Sequence, residues 1–301
     1  MGVNMKKFRS YSINDKIFYI ITGFLLTAFF IIVLYPCIYV VSASFSSGSA
    51  VEAGRVILWP VDFSLEGYKA VFHTPSVWIG FRNSLFYTIA GTLINILVTM
   101  IAAYSLARPD LPGRNGIMLF FTFTMFFSGG MITGYMLVRS LHILNTIWAM
   151  LIPGALGVYN LIIARTFIES NIPTELLEAA QMDGCSDIRF FASIVLPLSK
   201  AVIAVLVLFY GVSHWNSYFN AMIYLNDKEL YPLTIYLKEI LMASQIDPST
   251  VADPELQNQI ARMAAVIKYA LIVVSMIPIL ILYPFIQKDF VKGVMIGSVK
   301  G

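Results

Sequence analysis

The chain has 301 residues, of which 58% are hydrophobic and only 12% charged, with a mean hydropathy of +0.77. Soluble domains carry about 25% charged residues, so this composition excludes a soluble globular protein and marks an integral membrane protein. The net charge of +3 is small and dispersed, which argues against a nucleic-acid partner.

The amino terminus carries Lys6, Lys7 and Arg9 ahead of an apolar run ending Val41-Ser42-Ala43, the outline of a signal peptide with its cleavage site. That run, 17–41, is 25 residues long. A signal h-region has about 7–15, so a retained span is expected. Ser12-Ile13-Asn14-Asp15 has the pattern of a capping box and predicts a short interfacial helix leading into it. Six apolar stretches follow one another, near 17–41, 83–107, 117–137, 146–166, 201–223 and 265–286. Each is close to the ~20 residues that cross a bilayer. Several hold proline or glycine (Pro36, Gly91, Gly129-Gly130, Pro153-Gly154, Gly211, Pro278, Pro284), which membrane helices tolerate where neighbours satisfy the freed backbone. The expectation is an all-α polytopic membrane protein with six transmembrane helices, a single transmembrane domain over 1–301 and no soluble domain.

Lys6, Lys7, Arg9 and Lys16, the pair Arg108 and Arg114 between the second and third stretches, and Lys288, Lys292 and Lys300 in the tail 287–301 set the orientation. Positive segments stay inside, and an even number of spans returns the chain to its starting side. Both termini are therefore expected in the cytoplasm. Cys37 falls in a span and Cys185 in a loop, so no disulfide framework is expected. Two long outer segments remain, 42–82 with Trp59, Phe63 and Tyr68, and 224–262 with Leu230-Tyr231-Pro232-Leu233 and an acidic stretch over 247–255. Loops of that length usually have a task.

The segment 169–199 lies between the fourth and fifth stretches and reads as a helical hairpin. Asn171 can cap a helix that Pro173 enters early. Glu175 and Glu178 share one ridge, with Leu176, Leu177 and Ala180 opposite. Gly184 supplies the turn, and Ser186 or Asp187 can start a second helix carrying Phe190, Phe191, Ile194 and Val195. Leu196-Pro197 then redirects the backbone. On residue chemistry alone this is either a solvated amphipathic loop or a docking element.

Glu178-Ala179-Ala180, Gly184 and Ile194-Val195-Leu196-Pro197 fill the pattern E-A-A-x3-G-x9-I-x-L-P. The segment resembles the EAA loop of permease subunits in binding-protein-dependent ABC importers. That resemblance implies the type I importer permease fold, with 169–199 forming cytoplasmic coupling helices that dock into a cleft of an ATPase. Glu175, Glu178, Ala179, Ala180, Asp183, Gly184, Leu196 and Pro197 are the coupling residues it implies. Tyr35-Pro36, Ser44-Phe45-Ser46, Phe126-Phe127-Ser128-Gly129-Gly130, His214-Trp215-Asn216-Ser217, Tyr283-Pro284-Phe285 and the ending Gly293 to Gly301 are similar to the carbohydrate-importing, maltose-system-like branch. The likeness covers nearly the whole chain. It implies import of oligosaccharides or polysaccharide fragments across a bacterial cell membrane. The implied partners are a second homologous permease, two ATPase subunits, an extracytoplasmic substrate-binding protein, membrane lipid and the oligosaccharide itself. The tail, with Gly293, Gly297, Lys300 and Gly301, is implied to reach the ATPase.

No catalytic constellation accompanies this. The three histidines, His73, His142 and His214, lie in separate segments, and there is no Cys/His cluster and no G-x4-G-K-[ST] loop. No metal site and no cofactor of the chain's own are expected, with ATP and Mg held by the partner ATPase. Polar residues inside spans are costly and tend to line cavities. His214, Trp215, Asn216 and Tyr218 in the fifth stretch, Asn160 with Tyr159 in the fourth, and Ser128 with Thr133 in the third are the candidates for a substrate pathway. An aromatic face beside an amide suits a sugar ring. The same residue types also anchor helices at the interface or tie helices together, and both readings stand open. The rival functions are an importer for a non-sugar solute, such as amino acids, peptides or phosphate, and a non-transporting membrane sensor or scaffold. A membrane enzyme is a third.

Overall fold

The computed structural model describes residues 12–243, 262–281 and 283–284. The expected tail contacts at Gly293, Gly297, Lys300 and Gly301, and the acidic stretch over 247–255, lie outside the described residues. Every regular element among the described residues is helical. In chain order these are α1 (Ile13–Ser44), α2 (Gly48–Glu52), α3 (Glu66–His73), α4 (Pro75–Ala107), α5 (Arg114–Phe126), α6 (Gly130–Ser140), α7 (Trp148–Leu151) and α8 (Val158–Asn171). The segment 169–199 holds α9 (Thr174–Met182) and α10 (Asp187–Leu198). After it come α11 (Lys200–Trp215), α12 (Tyr218–Tyr224), α13 (Leu233–Ala243) and α14 (Arg262–Ile281).

Ser12 caps α1 directly. Its hydroxyl accepts from the Asp15 N–H at 3.2 Å and donates to the Asp15 carboxylate at 2.8 Å. A separate interfacial helix was expected there; instead α1 runs unbroken for 32 residues through Pro36. Once capped, nothing in Ile13–Tyr35 interrupts the i→i−4 ladder. Over 17–35 its side chains are mostly apolar and exposed, Phe24, Phe29 and Ile32 among them, as suits a helix whose surroundings are lipid or another chain.

Among the described residues α1, α4 and α14 are each long and apolar enough to cross a membrane, and the number is up to five if each of two bent pairs, α5 with α6 and α10 with α11, is one span. The bends are 115° and 80°. The stretch 117–137 is thus two helices meeting at Phe127-Ser128-Gly129, with Gly130 at φ +77°. The stretch 146–166 is divided between the four residues of α7 and the start of α8, because Pro153-Gly154 interrupts the ladder.

The described residues form two compact units, one drawn from 1–73 with 240–274 and one from 74–239 with 275–301. In the first, Ala43, Ala50, Val51, Val56 and Val266 make the core. The serines of Ser42-Ala43-Ser44-Phe45-Ser46 satisfy the loop that follows α1. Ser42 donates to the Leu58 carbonyl at 2.6 Å, Ser46 accepts from the Val61 N–H at 3.0 Å, and the Ser44 and Tyr68 hydroxyls meet at 2.8 Å.

In the second unit α4 is the axis. Its buried positions Val77, Gly80, Ser84, Tyr87, Gly91, Asn95, Thr99, Ala103 and Leu106 recur at three or four residues, one continuous helical stripe. Most are small or polar, which lets helices approach closely in a bilayer. Toward Leu106, the core joins Met100, Ala103 and Leu106 to Met118, Leu161, Ala164, Phe190, Val195 and Leu206. Toward Tyr87, it joins Met150, Leu151, Ala221, Leu225 and Ile235. There Asn83 and Tyr87 donate to the carbonyls of Glu229 and Leu230 at 2.6 and 2.9 Å, and Ser84 accepts from the Leu233 N–H at 2.9 Å. The segment around Leu230-Tyr231-Pro232-Leu233 is therefore fixed to α4.

Candidate functional site

Between α4, the broken stretch 152–157, α8 and α11 lies a cavity of about 940 Å³. Its wall is mostly apolar, with Leu156, Leu208, Phe209 and Ile279, and carries Asn95, Tyr159, Asn160, Tyr210, Ser213, His214, Ser217 and Asn220 as polar groups. A large, chiefly apolar hollow with a few convergent polar groups is the usual form of a binding site.

Two hydrogen-bonded bridges hold one wall. His214 Nε2 and the Asn95 side-chain oxygen are 3.2 Å apart, and the Asn95 amide donates to the Gly154 carbonyl at 2.7 Å. One turn along α4, the Thr99 and Tyr210 hydroxyls meet at 2.7 Å, and Tyr210 also accepts from the Gly157 N–H at 3.1 Å. Irregular backbone at membrane depth is tolerated only where protein satisfies it. Here the two bridges supply a donor to Gly154 and an acceptor to Gly157. Gly91 makes room for the arrangement, since a Cβ there would lie 2.4 Å from the His214 ring.

The hairpin 169–199 is the second feature. Pro173, not Asn171, is the N-cap of α9. Asn171 remains the last residue of α8 and donates from its amide to the Phe167 carbonyl at 2.9 Å; the proline, unable to donate from its nitrogen, occupies the boundary itself. Gly184 turns the chain at φ +72°, a conformation costly for other residues. Ser186 accepts from the Arg189 N–H at the start of α10. A π-helical turn over Phe191–Val195 follows, and the chain then bends at Ser199 into α11. Phe190 and Val195 are buried, and Leu177, Ala180 and Leu196 pack on the same core. Glu175, Glu178, Ala179, Asp183 and Pro197 are exposed. So are two large apolar side chains, Met182 at 89% and Ile188 at 82%.

A cluster of charges joins this hairpin to the end of α4. Arg108 donates from Nε to Asp110 at 2.8 Å, and from one terminal nitrogen to the Tyr104 hydroxyl at 3.1 Å and to the Asp187 carboxylate. Arg165 pairs with Glu169 at 2.9 Å and donates to the Leu106 carbonyl at 3.1 Å, while Arg114 donates to the Ala107 carbonyl at 3.1 Å. Cations on the last carbonyls of a helix suit its negative end. The hydrogen bond with Asp110 raises the Arg108 pKa further, and the same bond holds the Asp110 carboxyl below its usual range.

No protein-family model matches the chain. It is 41% identical over 289 residues to a polygalacturonan/rhamnogalacturonan transport system permease protein of Bacillus subtilis, covering 94% of this chain and 97% of that protein. The chain belongs to the family of sugar ABC-importer permeases. A maltodextrin transport system permease protein of the same organism is 26% identical, over 94% of this chain and 96% of its own. The fold agrees with a crystal structure of a bacterial ABC transporter involved in the import of the acidic polysaccharide alginate. The two match with a TM-score of 0.83 and 36% identity, over 93% of this chain and 99% of that one.

Within this permease the candidate pathway residues separate. His214 and Asn160 line the cavity together, with Tyr159 beside them. Trp215, Asn216, Tyr218 and Ser128 are not among its lining. The Trp215 indole N–H donates to the Ser275 carbonyl at 3.0 Å and its ring meets Phe81 edge-on. Asn216 donates back to the Val212 carbonyl at 2.9 Å. The Tyr218 ring lies 5.8 Å from the Lys238 ammonium, and Ser128 is exposed in the break between α5 and α6. Sequence reading missed Asn95, Tyr210 and the backbone of Gly154 and Gly157. The signal that could have found Asn95 is the stripe Gly80, Ser84, Gly91, Asn95, Thr99, Ala103, small or polar at helical spacing within an apolar run.

Proposed function

We propose that this permease is one of two membrane subunits of an importer of oligosaccharides or polysaccharide fragments, working by alternating access. The observation that carries the reading is the cavity beside α11, where Tyr159, Asn160, Ser217 and Asn220 stand among apolar side chains. Aromatic and apolar faces meet the C–H surfaces of a sugar ring, and amides and hydroxyls take its hydroxyl groups. The substrate class also draws on the relatives, which are named for polygalacturonan/rhamnogalacturonan, maltodextrin and alginate.

The exposed face of the hairpin, with Glu175, Glu178, Ala179, Asp183, Met182 and Ile188, is the surface an ATPase would hold. The small Ala179 permits close approach, and the carboxylates can take charge-assisted bonds from arginine. Two ATPase subunits would bind the ATP and Mg, the permease itself hydrolysing nothing. Closing of the ATPase pair would move the hairpin and open the cavity to substrate delivered by an extracytoplasmic binding protein; hydrolysis would return it to face inward. The protein would lie in a bacterial cell membrane with both termini in the cytoplasm, the side of the hairpin. Reconstitution of the permease pair, ATPase and binding protein into vesicles tests this. Labelled oligogalacturonide should accumulate only with ATP inside and binding protein outside. A complex that hydrolyses ATP under binding-protein stimulation yet accumulates no oligosaccharide overturns the substrate reading.

A further inference from the structure

The hairpin has two connections to the cavity, and they differ in stiffness. The covalent one runs through the π-helical turn Phe191–Val195 and the 80° bend at Ser199 before reaching His214 on α11. Both features interrupt the regular hydrogen-bond ladder, and such places yield first. The other runs through side chains. Asp187, the first residue of α10, holds Arg108, the residue that ends α4. From there α4 is a continuous helix back to Thr99 and Asn95, whose partners Tyr210 and His214 stand in the cavity wall. At ~1.5 Å per residue, that is a rod of about 20 Å between Arg108 and Asn95.

We propose that Arg108 is a positioning residue for coupling, and that its ion pair with Asp187 makes α4 a second route by which motion of the hairpin reaches the cavity. This rests on the importer reading above. An isolated, exposed ion pair would do little, and Asp187 alone is 62% exposed. Arg108, however, is only 14% exposed and is fixed in advance by Asp110 and Tyr104. A preorganised guanidinium loses little freedom when it takes a further carboxylate. The end of α4 is itself anchored, since Arg165 and Arg114 hold the carbonyls of Leu106 and Ala107. Displacement of Asp187 therefore moves the helix rather than fraying its last turn.

The test is the reconstituted complete importer with Asp187→Ala, which removes the pair while leaving Arg108 bonded to Asp110 and Tyr104. Subunit copurification and basal ATPase should stay at wild-type level. Binding-protein stimulation, and sugar moved per ATP, should fall about 5-fold or more, the lower end of allosteric coupling. Asp187→Glu should restore most of it, and Arg108→Ala should repeat the loss. Wild-type coupling in Asp187→Ala overturns the inference, as does a parallel fall of assembly, basal ATPase and coupling. A wild-type complex with no binding-protein stimulation overturns the importer reading itself.

Discussion

The imidazole of His214 occupies the place where a side chain at residue 91 would begin: a Cβ on Gly91 would lie 2.4 Å from Cε1 and Nε2. The histidine is thereby seated on the backbone of α4, one turn from Asn95, and its ring is part of the joint between α4, α11 and the broken stretch 152–157. That relationship makes the glycine as important as the histidine.

Gly91→Ala should therefore destabilise the complex. The ring must shift, which costs about 1–3 kcal/mol for an overpacked site, and its bond to Asn95 is lost with it. Gly116→Ala provides the contrast, because a Cβ there meets nothing within 4 Å and the residue lies inside α5. That change should leave stability unaltered or raise it by about 0.4–1 kcal/mol. Thermal unfolding of the detergent-purified complex separates the two.

Tyr210→Phe keeps the shape of the ring and removes the hydroxyl shared by Thr99 and the Gly157 N–H. A buried hydroxyl and a partly buried N–H lose their partner, so a loss of about 1–3 kcal/mol is expected. Adding Thr99→Val removes one of the orphaned groups, and the double variant should be more stable than Tyr210→Phe alone. If the double variant instead shows the simple sum of two losses, the bridge contributes no coupling.

Gly184 is a matter of backbone conformation, not space: its φ is +72° and nothing lies within 4 Å of a Cβ. Gly184→Asn, a residue that tolerates the left-handed region, should couple ATPase to binding protein much better than Gly184→Val. Equal behaviour of the two would mean that the angle between α9 and α10 does not matter to coupling.

Asn145 sits at φ 56°, with its side-chain oxygen accepting from the Asn226 and Asp227 N–H groups at 2.9 Å each. Asn145→Ala gives up both bonds and a residue suited to that backbone, so faster amide hydrogen exchange over 225–232 is expected.

What was legible in the chain follows the range of the interactions concerned. The turn at Gly184 and the cap at Ser186 depend on residues within a few positions, and both stand in the hairpin as its sequence implies. Asn171 was misplaced by two residues, because a proline that follows can itself take the boundary. The bend between α5 and α6 was hidden by hydropathy, which does not distinguish a straight apolar run from a folded one. His214 was read from its polarity inside a span, but its partner Asn95 lies 119 residues away, beyond any local pattern. The stripe of small and polar residues on α4 was present at helical spacing, and it pointed to the helix around which the others pack.

The most direct test of the central claim is ATP-driven uptake of labelled oligosaccharide by vesicles holding the complete importer, compared between wild type and Glu178→Lys. Glu178 is exposed on the hairpin, so reversing its charge should leave the permease inserted and folded. Wild type should accumulate the sugar only with binding protein present, and Glu178→Lys should lose both uptake and copurification of the ATPase. Undiminished uptake and ATPase binding in Glu178→Lys would contradict the account.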